Sequence, residues 1–272
     1  MRAILTIAQI TLKEAARRRV VLAALLCGMA FLALFGTGFY FVEREIHDPR
    51  ERIFLHFVIL AGLYAAQFLG VMTAVLLPID TVSGEVASGV MQTLASKPVR
   101  RSEIVLGKWL ACAVLVAAYL MLLAAGVLLV ARALGGPTPP RVLLGLPLML
   151  LAALVLMTLS IVGGTRLGTI ANGITALGLY GLAFIGSWVE QIGTLAGNES
   201  ARYVGTVASL IMPSEAMWQL AAHHMQPSIM RDLHATPFSP SSVPSPAMVA
   251  WAGLHVVTVL TVGLLAFRRR PL

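Results

Sequence analysis

The chain has 272 residues, of which 58% are hydrophobic and only 12% charged, and its mean hydropathy is +0.86. So much apolar surface with so few charges excludes a soluble globular domain and a disordered chain, and marks a membrane protein. The formal charge of +8 would suit nucleic acid, yet the cations gather at the ends of apolar runs, where anionic headgroups attract each by about 1 kcal/mol. The expected partner of that charge is membrane lipid, not nucleic acid.

Residues 1–19 alternate polar Arg2, Gln9, Lys13 and Arg17 with apolar Ile4, Ile7, Leu12 and Ala15 in a helical stripe, which predicts an interfacial elbow helix. The apolar run after Arg19 is too long for a cleavable signal peptide and lacks a small-x-small exit, so it is expected to stay on the chain. Six runs reach the length needed to cross a bilayer: 20–42, 53–79, 104–134, 142–162, 169–189 and 247–267. Each must satisfy its own backbone hydrogen bonds, and no lipid-facing alternation is present, so the predicted fold class is all-α with six transmembrane helices in a single transmembrane domain, 1–272. Cys27 and Cys112 both fall within spans and form no disulfide or metal pattern.

With both termini on one side, that side carries thirteen of the twenty Lys and Arg but four of the twelve acids. The positive-inside rule then puts both termini in the cytoplasm. The loop 80–103 and the turn 163–168 follow on the inside. Outside lie 43–52, 135–141 and a long segment, 190–246. Within that segment the apolar stretch 203–212 is too short to cross and is expected to dip into the interface. Pro213 and then Ser214 as N-cap predict a short helix through Trp218 and Leu220, before a proline-rich return.

The inner loop is the informative stretch. From Ser83 to Ala95, Val86, Val90 and Leu94 recur every four residues while Glu85, Ser88 and Gln92 take another face, which predicts a short amphipathic helix. Pro98 ends it, and Ser102 with Glu103 is a predicted N-cap and first turn for the third span. Gly84 and Gly89 weaken the helix by up to about 1 kcal/mol each, so packing, against a partner, is expected to hold it.

Asp80, Gly84-Glu85, Gly89, Leu94, Pro98, Arg101 and Gly107-Lys108 together resemble the loop of permease subunits of the second type of ABC exporter; Val90 departs from that pattern, where Thr is common. The elbow helix, six spans and inside termini are similar to that family along nearly the whole chain. "PSEAMWQL" and "AFRRRPL" are similar to the permeases associated with nitrous oxide reductase maturation. The resemblance implies a coupling helix seated in a groove of a cytoplasmic ATPase, with Gly84, Glu85, Val86, Gly89, Val90 and Leu94 as the contact surface. It also implies pairing of two permease copies, as a homodimer or with a close relative, and ATP and magnesium bound by the partner ATPase, with no cofactor on this chain. A periplasmic accessory protein is a further implied partner.

The chain is not expected to be an enzyme. "GEVASGVM" mimics the start of a phosphate loop, but Val90 and Met91 stand where Lys and Ser/Thr are required. "GGTRLGTI" lacks the lysine as well; its Arg166 is a candidate second contact with the ATPase, alongside the plainer role of a positive-inside anchor. No H-E-x-x-H or G-x-S-x-G motif is present. Gln67, Asn172 and His255 are polar within apolar spans, either lining a path or making interhelical hydrogen bonds. The group His223, His224, Met225, Met230, Asp232 and His234 offers copper or zinc ligands at irregular spacing, and no metal site is expected from it. An ion-driven carrier would need charged groups at the midplane and related halves, neither of which is clear here, and a membrane anchor without transport is the remaining alternative.

Overall fold

The structure, a computed structural model, describes residues 2–46, 48, 52–79, 81, 83–84, 100–232 and 243–268. The regular elements among these are α1 Arg2–Ala15, α2 Arg19–Glu45, α3 Ile53–Leu76, α4 Arg101–Ala133, α5 Val142–Gly164, α6 Thr169–Leu195, α7 Glu199–Ile211, α8 Ser214–Met225, α9 Ser228–Asp232 and α10 Pro246–Arg268. All are helices. Six of them, α2 to α6 and α10, are long and apolar enough to cross a membrane. All six begin within three residues of the predicted spans, and α3 stops three residues early, just short of Pro78, which has no N–H to continue the helical ladder.

Successive spans run up and down, so the bundle has two ends: a basal end holding α1, the turn at Arg166 and the close of α10, and a distal end holding α9 and the starts of α3, α5 and α10. The helix α5 is the hub, packed by α3, α4, α6, α8 and α10. Its Met149, Ala152, Leu156, Met157 and Ile161 are fully buried, and Pro147 lies in its second turn without ending it. At the margin, α2 keeps Leu22, Leu26, Met29 and Leu34 on the surface, as a lipid-facing helix should.

The stretch expected as an elbow forms the helix α1, which packs on α4. Gly107 permits the approach: a Cβ there would lie 2.7 Å from Ile7 and 2.9 Å from the backbone oxygen of Ile4. Two expected caps are corrected. The third span begins at Arg101 with Arg100 as its cap, not Ser102, because the Glu103 carboxylate reaches back to accept from the Arg100 N–H at 3.1 Å. The helix α8 has Pro213 at the cap position and starts with Ser214, whose hydroxyl is buried instead of capping.

The segment expected outside and dipping into the interface goes further than a dip. The Asn198 side chain caps α7 by accepting from the Ala201 N–H, and α7 then folds back along α6. Small residues make this close: Gly186 faces Ala208, Gly193 faces Ala201, and Gly205 faces the Cβ of Glu190. At 1.5 Å per residue the 13-residue helix descends roughly 20 Å, and α8 climbs back until Met225 meets Gly145 at the distal start of α5. The pair α7 and α8 is a re-entrant hairpin in the distal half of the bundle.

Candidate functional site

Two regions have functional character. At the basal end, the stem of the inner loop is tied to three helices. Lys108 of α4 is almost wholly buried, and its ammonium donates to the Thr81 backbone oxygen at 2.9 Å. A buried ammonium needs such partners, since leaving one unpaired is expensive. The Ser83 hydroxyl donates to the Ile79 oxygen at 2.8 Å and accepts from Thr169, at the start of α6, at 2.9 Å. One layer deeper, Asn172 of α6 donates to the Ser160 oxygen at 2.8 Å, and the Ser160 hydroxyl donates to the Val75 oxygen of α3 at 2.9 Å. Gly163 leaves room for the Asn172 amide. Trp109 of α4 donates to Thr158 of α5 at 2.9 Å. The loop therefore springs from a hydrogen-bonded frame, each bond worth on the order of 0.6 kcal/mol within a bilayer.

Of the predicted contact surface, Gly84 is at the end of this frame, and Glu85, Val86, Gly89, Val90 and Leu94 lie outside the described residues. Arg166 is exposed on the turn between α5 and α6, on the same basal side as the loop stem. Asn172 is placed as an interhelical hydrogen-bond donor. Gln67 is buried on α3 with neither amide atom hydrogen-bonded, and the half-buried His255 has its Nε2 unpartnered, with its ring 6.1 Å from Trp251.

The second region is the tip of the re-entrant hairpin. Glu215 is the second residue of α8 and is buried, 7% exposed. Its neighbours are aromatic: Tyr64 of α3 and Tyr180 of α6 lie within its electrostatic reach, Trp218 stacks beside Tyr64 at 5.1 Å, and Gln219 donates to Ser187 of α6 at 2.7 Å. Burial raises the Glu215 carboxyl to about 7. With the unpartnered Ser214 hydroxyl beside it and the Gln67 amide one turn below Tyr64, this is a cluster of uncommitted polar groups in an apolar interior. By its place in the segment 190–246, Glu215 falls among the outer acids in the charge balance. The available signal was a carboxylate followed by Ala216, Met217 and Trp218 with no nearby basic residue to pair it.

Further out, burial and then the neighbouring guanidinium groups of Arg141 and Arg231 hold the His224 imidazole below its ordinary value. Among the described residues no group of three or more His, Cys, Asp or Glu is arranged to hold a metal ion.

Six helices long and apolar enough to cross a membrane, with a tethered loop at one end and a helical hairpin at the other, define a polytopic membrane protein. The family model for the ABC-2 family transporter protein matches residues 5–272, and the chain belongs to that family. No curated protein sequence matches the chain.

Proposed function

We propose that the chain is the membrane-spanning subunit of an ATP-driven exporter, working as a pair of copies in a bacterial inner membrane with both termini in the cytoplasm. The observation that carries the reading is the family match along 5–272, and the tethered loop stem supports it mechanically. A loop helix over 83–95 that is gripped by a separate ATPase would pull on α4 through Lys108 and on α6 through Thr169, both short and directional links. A pull on these two helices is a pull on a packed bundle with α5 at its hub, which is the physical requirement for coupling between distant ends. ATP and magnesium are held by the partner. Arg166 adds a second basal contact, while Gln67 and His255, with Glu215, face the bundle interior as candidate contacts for cargo.

The test is copurification. The double substitution Glu85→Arg with Val90→Asp should release the ATPase subunit while the permease still inserts in the membrane and elutes as a folded pair. Undiminished association would remove the loop from its assigned role.

One observation favours a second reading. A lone buried carboxylate such as Glu215 is what a proton-driven carrier requires. That reading predicts solute movement in liposomes on a pH gradient by the permease alone, which the ATP-driven reading forbids.

A further inference from the structure

At the distal end two cavities meet at one residue. The first, about 430 Å³, is lined by His56, Thr138, Arg141, His224, Ser228 and Arg231, with Pro140, Gln226 and Pro227 completing the wall. Among the described residues no carboxylate lines it. Among the described residues neither Arg141 nor Arg231 forms an ion pair, and two cations in one concavity repel each other until an anion joins them. The starts of α3 and α5 open toward the same space, and neither helix carries an acid in its first turn or a side-chain cap, so their unpaired N–H groups add to the positive field. Arg141 itself is held at φ 48°, the only non-glycine residue with positive φ among the described residues. Such a backbone is strained for a side chain, and strain of this kind accumulates where a residue's position matters to function.

The second cavity, about 490 Å³, is apolar. It runs beside the first along Leu144, Pro147 and Leu148 of α5, Leu220 of α8 and Val249 of α10, and His224 lines both spaces. The order is that of an amphiphile: charge at the bundle's distal rim, then a greasy channel one to two turns deeper along α5.

We propose that these joined cavities bind the phosphate headgroup and one acyl chain of an anionic lipid from the distal leaflet. The phosphate oxygens accept from the Arg141 and Arg231 guanidinium groups, with the His224 ring and the Ser228 hydroxyl at the edge, and the chain lies against Leu148 and Val249. The site is separate from the loop stem and from Glu215, and it stands whether or not the chain is driven by an ATPase.

The probes are phosphatidylglycerol, a neutral diacylglycerol and inorganic phosphate. The full chain, purified in detergent, is titrated with each and read by native mass spectrometry of the intact protein. Wild-type protein is expected to retain phosphatidylglycerol and to release the diacylglycerol. Arg141→Ala with Arg231→Ala removes two charge-assisted contacts and should weaken phosphatidylglycerol binding by roughly 100-fold. Arg141→Gly is the check on folding, because glycine accepts the positive φ while deleting the charge; it should weaken binding by about tenfold with an unchanged melting temperature. Val249→Trp, which fills the apolar cavity, should weaken lipid binding and leave phosphate binding as it was. Equal retention of phosphatidylglycerol by wild type and the double variant overturns the proposal. Inorganic phosphate binding as tightly as the lipid overturns the acyl-chain half and assigns the rim to free phosphate.

Discussion

The basal and distal ends of this bundle share one apolar composition and differ in how they treat polar groups. At the base each polar side chain of the frame finds a partner on another helix or in the loop stem: Lys108 with Thr81, Ser83 with Thr169, Asn172 with Ser160, Ser160 with Val75. In the distal half the Ser214 hydroxyl and the Nδ1 of His224 are buried with none, and cavities open between α3, α5, α8 and α10. Satisfied polar groups rigidify, while unsatisfied ones are costly and persist where something else must visit. The contrast separates a frame built to carry force from a chamber built to accept a ligand.

The sharpest way to break the basal frame is to separate the elbow from the bundle. Gly107→Leu drives a side chain into the Ile4 backbone oxygen, which cannot give way, and is expected to destabilise at or above about 3 kcal/mol, seen as a lowered melting temperature in nanodiscs.

Next in size is the distal carboxylate. Glu215 has a native value near 7 against an ordinary 4.5, so the folded state binds its proton more tightly than the unfolded chain. Its contribution to stability is complete below pH 4.5 and is lost as the pH rises through 7, at up to about 1.4 kcal/mol per pH unit inside that window. Thermal unfolding between pH 5 and 8 should show that slope in the wild type and not in Glu215→Gln. Identical pH profiles would place the carboxylate in water.

Lys108→Met keeps the length of the side chain and strands the Thr81 carbonyl, for a loss of about 1 to 3 kcal/mol. Its more telling readout is the partner's ATP hydrolysis, which should lose its dependence on the permease although both subunits still associate. The smallest expected effect belongs to Arg166→Ala. As an exposed residue it should change stability by no more than about 0.5 kcal/mol, and any fall in association with the ATPase would then report a direct contact.

The spans and the elbow were legible in the sequence because bilayer thickness imposes a length and the headgroups fix the cations, both of which act residue by residue. The end of α3 shifted for a local reason, Pro78, and the start of α4 for another, the reach of Glu103 back to Arg100. What could not be read was the re-entrant hairpin. The stretch 203–212 was seen as too short to cross, but its path depends on Gly186 and Gly193 meeting Ala208 and Ala201 across two helices, and small residues announce no partner in one sequence. The depth of Glu215 follows from that packing alone, which its own segment does not announce. For Asn172 the sequence alone leaves path and hydrogen bond equally open, and the Ser160 oxygen it donates to decides between them.

The most direct test of the coupling account is a distance measured across the pair of copies at the distal end. With Cys27→Ser in the background and a spin label on Tyr203→Cys, an exposed position of α7, the complex with its ATPase is compared with and without magnesium, ATP and vanadate. The account predicts a nucleotide-dependent change in the label-to-label distance that disappears in Lys108→Met. A distance indifferent to nucleotide in the unmodified frame, or a change that survives the loss of Lys108, would contradict it.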